Sequence, residues 1–228
     1  MAQSQTELYN LALSAVGARK TVSAPTENSR EAEQCNLWYG SVRANIFRAA
    51  HWGSIKRFAR LGLLVERDTA ADWVTTDPEP GFIYSYSLPV GCVAARYLST
   101  FERFTTGVYY STNVRALFTD MEDAVLCYSF DQTNTALWDH SLYLAVAYGL
   151  AAHICLPLSG KPERASGLIK ASNAIIAEAR AQSANEQQGT IETLPEWITT
   201  RGYKGSPSTT RYFAPFGEYL SMMGAPVV

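Results

Sequence analysis

The sequence predicts an α+β fold made of a helical bundle body, a small antiparallel β insertion and an extended C-terminal arm. Apolar residues recur at three- and four-residue spacing on both sides of a central stretch where they alternate every second residue, the two periods that separate helix from strand. Beyond Gly189 neither period survives, because Pro195, Gly202, Gly205, Pro207, Pro215, Gly217, Gly224 and Pro226 interrupt it. Residues 1–64 and 132–188 are accordingly read as the body, 65–131 as the insertion and 189–228 as the arm. At 228 residues this amounts to one domain carrying an inserted segment rather than two large independent domains.

The first helix opens on Ser4-Gln5-Thr6-Glu7, a Ser-x-x-Glu capping box, and its apolar face is Leu8, Leu11, Ala12, Ala15 and Val16 before a stop at Gly17. A polar loop with Pro25 follows, and Asn28 with Glu31 gives a second capping signal. Ala32, Cys35, Tyr39, Val42, Ile46 and Ala49 then define a long amphipathic helix, with Arg30, Glu33, Arg43 and Arg48 elsewhere on the wheel. After a break near Gly53, the residues Ile55, Phe58, Ala59 and Leu61 read as another short apolar face ended by Gly62. The texture changes past Val65. Asp77-Pro78-Glu79-Pro80-Gly81 excludes helix, Phe82 to Leu88 alternates as a strand, Val108–Tyr110 and Val114–Phe118 flank a hairpin turn, and Ala124 to Phe130 is a third β-rich run. Helix returns with the capping residues Asp131 to Thr135 and runs through Leu137, Leu144, Val146, Leu150 and Ile154 to a break at Pro157, apolar on nearly every face and so the most enclosed helix. Pro162 opens the last one, with Ala165, Leu168, Ser172, Ile175 and Ala179 on one face.

The arm is unlike a solvated linker, since Trp197, Tyr203, Tyr212, Phe213, Phe216 and Tyr219 are groups that disordered tails lack. Its composition suits docking on a partner, with the aromatics and Arg211 as anchors, residue types enriched at binding hot spots. The net charge of -2 and pI near 5.9 argue against a protein whose main task is to grip nucleic-acid phosphates. Cys35, Cys92, Cys127 and Cys155 lie far apart without a Cys-x-x-Cys pair and read as reduced, buried residues of a protein assembled in the cytosol. The N-terminus lacks the basic patch and apolar run of a signal peptide. Ser141 to Gly160 holds no charged residue, but Tyr143, Tyr148, Gly149, His153 and Pro157 interrupt it, so a buried helix is expected rather than a membrane span.

Sequence motifs for chemistry are missing. His51, His140 and His153 form no His-x-x-x-His pair, and His153 on an apolar helix reads as a core or interface residue. Asp120, Glu122 and Asp123 lack the central Gly and terminal Glu of a calcium loop and read as a solvated turn. There is no Gly-x-Ser-x-Gly, phosphate-binding loop or Gly-x-Gly-x-x-Gly. Trp38, Trp52 and Trp138 read as core rather than as a stacking surface. No catalytic residue, metal or cofactor is therefore expected.

Leu11-Ala12-Leu13-Ser14-Ala15-Val16-Gly17, Asn28 to Trp52 with Tyr39 and Arg43 ahead of Phe58-Ala59, Tyr86-Ser87-Leu88-Pro89, and Leu126-Cys127-Tyr128 before Ala-rich helices form an ordered series. In order and spacing it resembles the head-to-tail adaptor family of short-tailed bacteriophages, also called tail tubular protein A, over Leu8 to about Arg201. The resemblance implies a structural subunit without enzyme activity, assembled in the host cytoplasm into a virion neck ring, typically of twelve copies. Such a ring sits under the portal, extends the channel through which genomic DNA passes without specific binding, and presents a lower face to the tail nozzle. On this reading Tyr203, Arg211, Tyr212, Phe213, Phe216 and Tyr219 are portal-binding, while Tyr109, Tyr110, Ser111, Thr112 and Asn113 face the nozzle. Beyond Arg201 the chain is longer and more aromatic than the family pattern. The competing expectations are a tail-associated envelope hydrolase and another head-completion or stopper protein.

Overall fold

The computed structural model describes residues 4–186. They form a mixed α+β arrangement of four α-helices and two antiparallel sheets, in the order α1 (Gln5–Val16), α2 (Arg30–Ala49), β1 (Lys56–Arg60), β2 (Gly62–Glu66), β3 (Tyr84–Ser87), β4 (Cys92–Leu98), β5 (Phe104–Tyr109), β6 (Val114–Thr119), β7 (Val125–Phe130), α3 (His140–Ser159) and α4 (Pro162–Glu186).

The helix ends follow from local chemistry. The capping box is complete at α1: the Glu7 amide donates to Ser4 Oγ (3.1 Å) and the Ser4 amide to Glu7 Oε2 (3.0 Å). Gly17, left-handed at φ 78°, closes the helix. The second cap is Ser29, accepting from Ala32, and not Asn28. Two expectations for α3 give way. Asp131 to Thr135 is followed by a single 3-10 turn (Thr135–Leu137), and Asp139 caps the helix by accepting from the Leu142 amide at 2.8 Å. Pro157 lies inside the last turn rather than ending the helix; the stop is left-handed Gly160, whose amide donates to the Leu156 carbonyl.

α3 packs against α1, α2 and α4. Leu142, Ala145, Val146, Leu150, Ala151 and Ile154 are buried in the cluster that also takes Leu8, Ala12 and Leu13 of α1 and Val42, Ile46 and Phe47 of α2. It is long and apolar enough to cross a membrane by length and composition, and 56% of that stretch is buried inside the fold, while Leu156 stays exposed. Close approach is possible because position 149 is glycine: a Cβ there would stand 2.9 Å from Ile46 Cδ1 and 3.1 Å from Val42 Cγ1.

The expected helical face at Ile55 to Leu61 is strand instead. Phe58 pairs with Cys127 and Ala59 with Leu126 as β1 runs antiparallel to β7, and Gly62 starts β2 rather than ending a helix. Sheet therefore begins at Lys56, inside the stretch assigned to the helical body. The reason is non-local, because the β-rich run 125–130 supplies a ladder that no window around residue 58 contains. There are also two sheets where one was expected: β1-β7-β4 and β2-β3-β6-β5. Leu98, Leu126 and Tyr128 of the first meet Tyr86 and Leu117 of the second, so the sheets pack face to face. Strand β4, not anticipated from sequence, opens on a turn at Pro89-Val90-Gly91, where the Cys92 amide donates to the Pro89 carbonyl and Gly91 supplies φ 75°.

Candidate interaction surfaces

The inner faces being occupied, each sheet turns its alternate residues outward. On the first sheet Phe58 and Tyr97 both stand opposite Cys127. Phe58 meets Tyr97 edge-on (6.3 Å), and Tyr97 stacks on Phe101 (5.2 Å, 17°). Cys127 is wholly covered, while Phe58 and Phe101 remain 56% and 68% exposed. Lys56 Nζ lies 5.4 Å from the Phe58 ring centre, and His51 is tilted against Tyr97 at 5.9 Å. Burial pushes His51 below the ordinary imidazole value, with Arg96 and Lys56 adding repulsion. Phe101 adopts φ 58°, a left-handed conformation that a bulky residue rarely takes.

The second sheet turns Ala116, Phe118 and Tyr109 to its own outer side, where Val65 and Phe82 pack on them. Residues 67–83 cross this side as a loop between β2 and β3, longer than loops without regular structure ordinarily are in compact domains. The Tyr109 hydroxyl donates to the Thr76 carbonyl (2.6 Å) and Trp73 Nε1 to the Pro78 carbonyl (2.9 Å). Asp68, Asp72 and Glu79 are exposed on the loop, as are Trp73 and Val74.

Of the residues expected to face the nozzle, Tyr110, Ser111, Thr112 and Asn113 form the exposed turn joining β5 to β6, closed by the Asn113 amide donating to the Tyr109 carbonyl at 2.8 Å, with Asn113 at φ 54°. Tyr110 is 87% exposed. Tyr109 is not on this surface; it is buried and anchors the long loop. Tyr203, Arg211, Tyr212, Phe213, Phe216 and Tyr219 lie outside the described residues.

Helices α2, α3 and α4 leave a further groove of about 220 Å³, lined by Val42, Asn45, Gly149, Ile169, Asn173 and Ile176 among others. His153 is also at this groove; it is exposed and stacks flat on Trp38 (4.7 Å, 16°), so it is a surface residue and not a core one. Trp38 is half-buried, whereas Trp52 and Trp138 are buried as expected.

The residues that could carry chemistry are largely engaged. Asp120 pairs with Arg103 (2.7 Å) and Asp123 with Arg60 (2.6 Å), which holds the Asp123 carboxyl below its ordinary range. All four cysteines are buried free thiols, and burial pushes Cys35 up to about 12, leaving it protonated and unreactive at neutral pH. Among the described residues no group of three or more His, Cys, Asp or Glu is placed to hold a metal. No protein-family model matches the chain, and a search of curated proteins returns no match.

The aromatic row escaped the sequence reading because Phe58 was placed on a helix and Cys92–Leu98 on no element. Lys56-Arg57-Phe58-Ala59-Arg60 does not alternate between polar and apolar, so the strand left no local signal to read.

Proposed function

We propose that this chain is a structural head-to-tail adaptor: one subunit of a ring, of about twelve copies, between the portal and the tail nozzle of a short-tailed bacteriophage virion. The reading rests on the ordered series of segments that resembles the adaptor family from Leu8 to about Arg201. It is supported by where those segments fall. Leu11–Gly17 is the capped end of α1, Asn28–Trp52 spans α2, Tyr86–Pro89 ends β3, and Leu126–Tyr128 is the centre of β7. Within the second of them, Arg43 donates to both carboxylate oxygens of Asp131 (3.0 and 2.9 Å), joining α2 to the chain just after β7. Through this pair a residue of the second segment ties α2 to the chain leaving β7, as a structural part requires.

In this reading α1 to α4 are a helical body, residues 56–130 are its β insertion, and 189–228 are an arm whose Tyr203, Arg211, Tyr212, Phe213, Phe216 and Tyr219 anchor on the portal. The turn Tyr110–Asn113 meets the nozzle, and genomic DNA passes through the ring without specific contacts, which a mildly acidic chain favours. The subunit performs no catalysis and requires no cofactor.

Mixing the full chain with portal rings and imaging by negative stain tests this. The expected result is an additional ring of about twelve subunits on one face of the portal. Portal rings that stay bare, or a purified monomer that degrades cell-envelope polymers, would count against the adaptor role.

A further inference from the structure

A sheet edge is open to further strands, and natural chains blunt their edges with charge, proline or bulges. The strands at the edges of the two sheets are β1 and β4 in the first and β2 and β5 in the second. Three of them are blunted. β1 carries Lys56, Arg57 and Arg60, β4 has two register shifts, and β2 has one between Leu63 and Val65 and ends on Glu66. β5 has none of these devices. Its six residues pair with β6 without a shift, and from Phe104 to Val114 the chain has no charged residue and no proline.

The free side of β5 follows from its neighbours. The Leu88 amide donates to the Arg115 carbonyl at 3.2 Å, so Arg115 turns its peptide groups toward β3 and away from β5. Val108, opposite Arg115, therefore stands in a non-hydrogen-bonded pair with its N–H and C=O turned outward, and by alternation so do Thr106 and Phe104. Among the described residues no strand lies beyond this edge. Thr106 and Val108 are also exposed, although they share a face with Phe104, which packs into the sandwich. The edge thus presents main-chain donors and acceptors at every second residue, beside exposed β-branched side chains.

We propose that β5 receives an extended, uncharged segment of another protein, rich in β-branched residues, which lengthens the second sheet by one strand. Alternating N–H and C=O groups are matched by an extended backbone; a helix has its own already paired, and a phosphate chain has no donors to offer. The uncharged run 104–114 gives a charged segment nothing to pair with. The partner is a different protein, since the other described edges of this chain are the blunted ones. A second copy has its own β5 to offer, and that pairing would be symmetric. The contact does not depend on the adaptor reading.

The probe is a synthetic peptide of alternating Thr and Val, capped at both ends and carrying a short ethylene glycol tail for solubility. It is added to the isotope-labelled full chain while amide hydrogen exchange is followed by NMR. In the free chain the amides of Thr105, Gly107 and Tyr109, which face β6, are expected to exchange slowly and those of Phe104, Thr106 and Val108 fast. Peptide at about ten times its Kd slows the latter three about tenfold. Thr106→Pro removes the central outward N–H and no bond to β6, a place where an edge strand accepts proline. It should abolish protection at Phe104 and Val108 while Thr105, Gly107 and Tyr109 stay slow, which also shows that the variant is folded. Val108→Lys, a natural kind of edge guard, should weaken the protection in the same way. No protection by the peptide, protection unchanged in Thr106→Pro, or protection on β1, β2 or β4 instead would overturn the proposal. So would outward amides that are already slow without peptide: lost on dilution, that protection assigns the edge to a second copy, and kept on dilution, to another part of this chain.

Discussion

At Arg96 one guanidinium closes the C-terminal end of α2. It donates to the carbonyls of Phe47 (2.6 Å), Arg48 (3.3 Å) and Ala50 (2.6 Å), while its Nε donates to Ser129 Oγ (2.9 Å). Arg180 takes the Ala49 carbonyl and Trp52 that of Ile46, so five successive carbonyls that the helix leaves unpaired find side-chain donors. Burial lowers the Arg96 pKa from its ordinary value, yet guanidinium remains charged at any pH the fold tolerates. Arg96→Ala is expected to destabilise the protein by about 3 kcal/mol, since it orphans several partly buried acceptors at once. Urea unfolding measures it, and Arg96→Lys should recover only part. A second residue-scale prediction concerns alkaline pH. Burial raises the Cys35 thiol from 9.0 to about 12, and the Tyr9 and Tyr143 phenols from 10.0 to about 12. The folded state favours the protonated forms, so their contribution is complete below the unfolded values and is lost as pH rises from about 9 toward 12. The urea midpoint should fall across that window, less steeply between pH 9 and 10 in Cys35→Ala.

Among the elements, β4 depends on the turn before it. Gly91 is left-handed, and a Cβ there would stand 2.7 Å from Phe130 Cε2, on a ring that Arg57 also covers, its Cζ 3.5 Å from the ring centre. Gly91→Ala combines conformational strain with a clash against the Phe130 ring, and should lower stability by about 2 kcal/mol in thermal or urea unfolding. Helices α1, α2 and α4 were legible in sequence because their caps and apolar faces are local, and so was the β5–β6 hairpin. What was misread involves pairing at a distance. β1 exists because residues 125–130 lie beside it, and β4 carries register shifts between Cys92 and Ala94 and between Ala95 and Tyr97 that blur its alternation. The aromatic row was hidden for the same reason, being assembled from β1, β4 and the turn after β4. Pro157 misled in another way, since the helix continues past it and stops at the left-handed glycine three residues on.

For the molecule as a whole, the adaptor reading puts the portal anchors in the arm, so deleting Gly205 to Val228 should abolish co-sedimentation with portal rings, with far-UV circular dichroism checking that the truncated chain is folded. Retained binding would place the portal contact elsewhere.

Lys56 and Ser129 are ladder partners, so the chain departs from the helices and rejoins them at adjacent points. Seen as carpentry, the sandwich hangs on a single hinge plate, with Arg96 and the Arg43–Asp131 pair as its screws. A module attached in this way can change its outward loops, or be exchanged for another of equal footprint, without reshaping the helices behind it. The outer faces are then free to diverge in sequence while the helical frame stays the same.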